Sequence, residues 1–403
     1  MNIYIYENCR ALNLEPITLT RPSFEIRCGA LTCIERINLL LPDANIHLFV
    51  RPDLEDITKE TFPGHQVNPT QVEEGIWLLG NVLWSDEDID TIKDQQSTLF
   101  YANNTLIGAH LTHEAGQKWL ESGGPILGDL DIDFAKSDLS TYVLEYLWEA
   151  VDLTYQQIEK DIQYFTEFST PETDAIMINE KNIFTHKSSI ISKGAVIDAS
   201  HGPVIIANGA SVKPLAYLEG PLYLGEKCVV EPLTQIKGGC SIGPVCKLGG
   251  EVNSVIMQGW SNKVHDGHMG DAYLGQWVNL GAGTVNSNLK NNYSDIDVMV
   301  NGTMTNTSSK HVGCFMGDHV KTAIGTRLNT GTVIGPGSNI AVKGFPPKTI
   351  QPFSWCVGEK IKRNKWDAFI ETARIVKKRR GLDLSSAEEE LLQKIYKLHY
   401  GVD

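Results

Sequence analysis

Ile206-Ala207-Asn208-Gly209-Ala210-Ser211-Val212-Lys213-Pro214-Leu215-Ala216-Tyr217-Leu218 sets a rhythm that decides the fold. Its apolar residues Ile206, Val212 and Leu218 stand six apart. The series runs on through Leu224, Val230, Ile236, Ile242 and Leu248. Four places after each comes a mostly small residue: Ala210, Ala216, Leu222, Cys228, Thr234, Cys240, Cys246 and Val252. The rhythm returns at Met316, Thr322, Leu328, Ile334 and Ile340, with Val320, Thr326, Thr332 and Ser338 at the same offset. A period of six suits neither an amphipathic helix nor an alternating strand. It suits a coil of three short flat strands, with one apolar side chain pointing inward per strand and a small residue at each corner.

Working outward, the repeat predicts a coiled domain over 178–345. Asn, Ser, Thr and Asp residues interrupt it between Asn286 and Gly313, which reads as a long excursion of the functional kind. Upstream, Ile3–Tyr6, Ile46–Val50 and Gly75–Leu79 read as strands, and Gly29–Leu41 carries helical spacing. Alternating strands and helices imply a mostly parallel sheet. Leu139–Phe165 reads as one long helix with an apolar stripe, and Phe168–Asp174 as a linker, so the first domain is placed at 1–170. Phe345-Pro346-Pro347 closes the coil. A helical tail over 346–403 follows, with helices at Trp366–Gly381 and Ser386–Tyr400. Ser386 and Glu389 read as a capping box.

The 403 residues suffice for two or three domains with real cores. No apolar run approaches the roughly 20 residues that span a bilayer. Met1-Asn2-Ile3-Tyr4 opens as a strand, without a signal-peptide pattern, so a cytoplasmic protein without membrane partners is expected. Of eight cysteines without a CxxC pair, three stand in the small-residue column of the repeat and read as buried free thiols, and no metal site is expected from the spacing. A net charge of −14 argues against nucleic acid as a partner. Between Lys343 and Arg380, however, eleven Lys or Arg face three acids. That excess is either a solvated face or a patch for the phosphates of a coenzyme or sugar nucleotide.

Residues 262–290 read NKVHDGHMGDAYLGQWVNLGAGTVNSNLK. His265, Met269-Gly270-Asp271, Val278-Asn279-Leu280-Gly281-Ala282-Gly283-Thr284 and Asn288 resemble the acetyltransferase half of a known family. It is the bifunctional N-acetylglucosamine-1-phosphate uridyltransferase/glucosamine-1-phosphate acetyltransferase family, with its archaeal sugar-1-phosphate counterparts. Lys310–Val320 extends the resemblance. The fold it implies is an α/β nucleotidyltransferase-like (Rossmann-like) domain, a left-handed parallel β-helix of hexapeptide repeats and C-terminal helices, assembled as a homotrimer. The activity it implies is acetyl-CoA-dependent N-acetylation of a sugar 1-phosphate, for sugar nucleotide synthesis of the UDP-N-acetylglucosamine type.

The chemistry asks for a base as the amine attacks the thioester, and imidazole serves near neutral pH. The resemblance puts His265 in that role. Asn279, or backbone N–H groups of Gly281 to Gly283, can supply oxyanion donors. Gly281, Ala282 and Gly283 would admit the pantetheine arm of the coenzyme, with Asp318 and Lys343 as further coenzyme contacts. Lys263, His268, Asn288 and Lys290 are the candidate sugar-phosphate contacts. His268 stands where bacterial members carry tyrosine, and Glu231 where they carry the phosphate-gripping arginine.

Leu14–Pro22 resembles the signature that follows the phosphate loop of sugar nucleotidyltransferases. The loop before it, Tyr6–Asn13, has no glycine, although bare backbone N–H groups normally cradle phosphate there. Arg10, Arg21, Arg27 and Asn81 are the replacement candidates for UTP or another nucleoside triphosphate, with Mg2+ needed only if this domain is active. Glu25 belongs with them. Two other readings stay open. One is a non-catalytic sugar-nucleotide-binding scaffold with a degenerate first domain. The other is a zinc hydratase on the same coil, which needs His265, His268 and His319 to converge.

Overall fold

A computed structural model describes residues 1–128, 130–169 and 173–400. The expected linker at 168–174 lies partly outside the described residues, as does the end of the tail. The first region is built on a seven-stranded sheet. Asn2–Tyr6 is central, paired in parallel with Asn45–Phe49 on one side and Gly75–Leu79 on the other. Thr105–Leu111 then joins antiparallel to Gly75–Leu79, so the sheet is mixed rather than uniformly parallel. The helix expected from Gly29 begins only at Cys33, after a short hairpin of Arg27–Cys28 with Leu31–Thr32.

The long helix also starts later than its stripe suggests, spanning Leu147–Asp161 before a 3-10 turn. Val143 instead bridges Val82, and Leu144 N–H donates to Asn81 O at 2.8 Å. This isolated bridge and its backbone hydrogen bond therefore override helical propensity over the expected first turns.

From Ile176 the chain winds as a left-handed β-helix. Ile206, Val212, Leu218, Leu224, Val230, Ile236, Ile242 and Leu248 are all fully buried in its core. Burying each such side chain stabilises by about 1.5–3 kcal/mol. Cys228, Cys240 and Cys246 fill small inward positions beside them as free thiols. Each small inward residue follows a left-handed corner residue: Leu215 before Ala216, Lys227 before Cys228, Leu233 before Thr234, Val245 before Cys246.

Two nine-residue strands, Glu251–Gly259 and His268–Gln276, break the regular rhythm. Glu251–Val252 pairs with one face and Ile256–Met257 with the next, which merges two faces of the prism into a 13-stranded sheet. The third face is a ten-stranded sheet.

The excursion after Asn286 carries a hairpin, Asp297–Val300 with Thr303–Asn306. Its Ile296, Val298 and Val300 are buried with Leu144, Trp148 and Phe315. It therefore fills the junction between the first region and the coil.

The tail helices are Trp366–Lys378 and Ser386–Tyr400. The expected capping pair is displaced by one residue: Ser385 Oγ accepts from Glu388 N–H at 3.1 Å. Glu389 is drawn instead to Arg374 of the other tail helix. Phe353, Phe369, Leu391 and Tyr396 join the core of the first region, so the tail ties the far end of the coil to the sheet. Among the described residues, no helix is long and apolar enough to cross a membrane.

Candidate active site

On the ten-stranded face, successive coils align Lys247, Asn262, Asn279 and Lys321 as neighbouring outward residues. Beside them, at left-handed corners, stand Trp260, Trp277 and His319, with φ of 55°, 61° and 60°. The two indoles stack at 5.1 Å, and His319 continues the stack at 6.2 Å from Trp277. The C-terminal end of the helix Trp366–Lys378 lies across this face. Together they enclose a cleft of about 450 Å³ lined by Lys247, Trp260, Asn262, Trp277, Asn279, Lys321, Arg379 and Arg380, with Val264 and Val376.

His265 directly follows Val264 of the cleft wall. Its ring is exposed, with no hydrogen-bond or ion-pair partner. The loop that carries it is braced from within. Lys263 is 3% exposed, and its Nζ donates to Gly249 O and His265 O, each at 2.9 Å. Burial pushes the Lys263 amine down to about 8. Lys263 thus holds the His265 loop rather than presenting a charge to a substrate.

Asn279 is exposed at the cleft. Its Oδ1 accepts from Asn262 Nδ2 at 3.3 Å, which leaves its own amide N–H groups free to donate. Arg380 holds Asn262 from the other side, at 3.0 Å.

The other expected contacts fall elsewhere. His268 sits 3.5 Å from Glu251, which also accepts from Lys237. Asn288 donates to Asp271, and Lys290 ties down its own loop through Asp295 O and Ser294. Gly281, Ala282 and Gly283 meet the next coil of the same chain: Gly281 N–H donates to Thr322, and Gly325 N–H to Ala282 O at 2.7 Å. A Cβ on Gly281 would lie 2.6 Å from Ala323 C, so coil packing already demands glycine there. Lys343 is exposed and does not line the cleft. Asp318, expected at the coenzyme, is turned to the domain junction, where its carboxylate accepts from Thr20 Oγ1 at 2.7 Å, from Arg21 and from Gln276 N–H at 2.7 Å. His319 is enclosed between Trp277 and Phe369, whereas His265 lies in the open. Among the described residues, no group of three or more His, Cys, Asp or Glu is placed to hold a metal ion.

Of the nucleotide candidates of the first region, Arg10 stays at the surface, and Arg21, Arg27 and Asn81 turn inward. Arg10 pairs with Glu145. Arg21 and Arg27 are both 4% exposed, Arg21 on Asp318 and Arg27 donating to Ala30 O at 2.8 Å. Asn81 donates to Leu144 O at 2.8 Å. That position holds an amide already engaged with backbone and no carboxylate, so it does not fit Mg2+. In the turn after the first strand, Ala11 N–H donates to Asn8 O and Arg10 N–H to Asn8 Oδ1, both at 3.0 Å. Those donors are therefore not free to cradle a phosphate.

Residues 3–170 match the family model for sugar nucleotidyl transferase. A bifunctional sugar-1-phosphate nucleotidylyltransferase/acetyltransferase of Sulfurisphaera tokodaii is 35% identical over 97 residues. That match spans 23% of this chain and 24% of the relative's length. It supports the bifunctional family resembled by residues 262–290. Two solved structures of mutants of AntD, an N-acyltransferase from Bacillus cereus, in complex with dTDP and coenzyme A, are also similar. One is 13% identical with a TM-score of 0.22, covering 55% of this chain and 97% of that chain. The other is 12% identical with a TM-score of 0.19, covering 50% and 90%.

The sequence did not single out Trp260, Trp277 or Lys321. The signal of the two tryptophans was present as aromatic residues seventeen apart at the corner position, directly before the inward residues Ser261 and Val278. Asn286 was also missed. It pins Gly270 through both its N–H and its C=O, each at 2.8 Å.

Proposed function

We propose that this protein is an acyltransferase that moves the acetyl group of acetyl-CoA to the amine of an amino-sugar 1-phosphate. The observation that carries the proposal is the unpartnered imidazole of His265, held by a braced loop at the edge of the cleft. The sugar nucleotidyl transferase family of the first region and the named activities of the Sulfurisphaera tokodaii relative support a sugar-phosphate acceptor.

In the reaction, the acceptor nitrogen forms a bond to the thioester carbon and the carbon–sulfur bond breaks. His265 takes the proton that the nitrogen sheds and returns it to the leaving thiolate. Asn279 donates to the oxygen on which negative charge develops. A positioned base contributes about 10²–10⁴-fold, and one oxyanion donor about 10²–10³-fold. A homotrimer belongs to this reading through the family resemblance. Nucleotidyl transfer by the first region is a second candidate activity, supported by the family match, although Arg21, Arg27 and Asn81 are engaged in internal contacts.

The test is thiol release from acetyl-CoA by the full chain. Glucosamine 1-phosphate and related amino-sugar 1-phosphates serve as acceptors, and the N-acetylated sugar phosphate as control. Release that requires the free amine is expected. Sugar-nucleotide binding without any thiol release would favour the scaffold reading.

A further inference from the structure

His319 is a buried titratable ring that the proposed chemistry does not use. It is 2% exposed, between Trp277 of the cleft wall and Phe369 of the first tail helix. Its Nε2 lies 3.5 Å from one carboxylate oxygen of Glu388, in the first turn of the second tail helix. The other oxygen of Glu388 accepts from Lys377, in the last turn of the first tail helix. Lys377 Nζ in turn stands 5.5 Å from the centre of the Trp277 ring. One carboxylate thus ties both tail helices to one corner of the coil.

The turn between those helices has few other holds. Phe369 and Ala373 on one helix, and Leu391 and Tyr396 on the other, anchor the tail in the core of the first region. None of residues 379–385 is buried. Gly381 turns with φ of 74°, and a Cβ there would meet nothing within 4 Å. Arg380 reaches the coil through Asn262 at 3.0 Å.

The contact with Glu388 suits one protonation state of the ring. With its proton on Nε2, His319 donates to Glu388 and keeps a lone pair on Nδ1. That buried Nδ1 has no hydrogen-bond partner. A second proton would make it a donor with neither acceptor nor water, which is costly. Burial accordingly holds the His319 pKa below 6.5. With the turn released, the ring meets water and returns to its ordinary value. The closed arrangement therefore binds fewer protons than the open one. Its advantage is complete above 6.5 and is lost as pH falls through the depressed value.

The other charges around the ring do not produce that response. Lys321 and Asp318 flank it on the coil. Burial brings the Lys321 amine down to about 8, so it stays charged below neutrality. Asp318 is held from the first region by Arg21 and Thr20. Although burial opposes them, His319 and Lys377 keep the Glu388 carboxyl below 4.5, so it titrates only in stronger acid. Glu25 and Glu60 line the small cavity beside the ring. Burial raises Glu25 to about 7, so it acts in the opposite sense and tightens the junction as pH falls.

We infer that Glu388 and His319 form an acid-opened latch, which frees the turn between the tail helices from the coil when the ring takes a second proton. Opening withdraws Val376, Arg379 and Arg380 from the cleft wall, so access to the cleft rises as pH falls. The latch does not depend on acyl transfer.

Hydrogen exchange of the full chain, read by mass spectrometry at about pH 7.5 and about pH 5.5 and corrected for intrinsic rates, tests this. Protection over 377–389 should fall about threefold or more at the lower pH, while the strands of the coil keep theirs. Glu388→Gln, at the rim of the latch, should show the lower protection at both pH values. His319→Gln carries no titratable ring and should lose the pH dependence. Arg374→Ala removes the neighbouring pair with Glu389, and Glu25→Gln removes the opposing carboxyl; both should keep the dependence. Equal protection of the wild type at the two pH values would overturn the inference. So would loss of the dependence in Glu25→Gln but not in His319→Gln. Wild-type behaviour of Glu388→Gln would overturn it as well, and that variant decides the matter if His319→Gln does not fold.

Discussion

Glu25 illustrates how strongly this architecture acts on a single group. Burial raises its pKa to about 7, although Arg21 lies 3.9 Å away and pulls the other way. The unfolded chain titrates it near 4.5. The folded protein therefore binds the extra proton between those two values, and this contribution to stability is lost as pH rises from about 4.5 through 7. Glu25→Gln keeps a neutral side chain at every pH. Its advantage over the wild type should be on the order of 1–3 kcal/mol at about pH 8 and vanish near pH 4.5. Denaturant unfolding at both pH values measures it, and an equal difference at the two would contradict the assignment. The same junction shows why the arginines misled the sequence reading. An arginine after a first strand suits a phosphate, but the partner of Arg21 lies 297 residues away and that of the Arg27 backbone 246 away. Nothing local in the sequence announces either contact.

Among the elements, the coil was legible because each inward position is repeated many times over. Its irregular parts were not. The strands Glu251–Gly259 and His268–Gln276 run through corners at Ser254 and Asp271, and the excursion folds into a hairpin whose apolar residues find a core only at the domain junction. The glycine run near Asn279 was legible as a motif but not in its role. Coil-to-coil contact at Gly281 means that Gly281→Ala should cost about 1–3 kcal/mol through overpacking. A lowered denaturation midpoint with an unchanged slope would show this. An unchanged midpoint with weaker coenzyme binding would instead restore the glycine to the pantetheine path. The cleft itself was half legible. Its basic tail stood out in the sequence, whereas the indole wall depends on corner residues that align only when coils stack.

Over the whole molecule, the segment Thr20–Thr32 is the hinge of the design. Ser241 Oγ donates to Gly29 O, Gln258 Nε2 donates to Glu25 O at 2.6 Å, and Tyr273 Oη accepts from Arg27 N–H at 2.8 Å, all from the coil. From the opposite side, Asp161 of the long helix accepts from Ala30 N–H at 2.8 Å and pairs with Arg36. The part of the first region that resembles a nucleotide-binding signature thus leads into a docking layer. The open face of the coil, where Asn279 and the end of the tail helix line the cleft, is the surface on which the proposed acyl transfer is placed. The most direct measurement is the rate of acetyl transfer to glucosamine 1-phosphate by wild type and His265→Ala, with unfolding midpoints recorded alongside. The account predicts a loss of about 10²–10⁴-fold in kcat at an unchanged midpoint. A variant that kept the wild-type rate would contradict it.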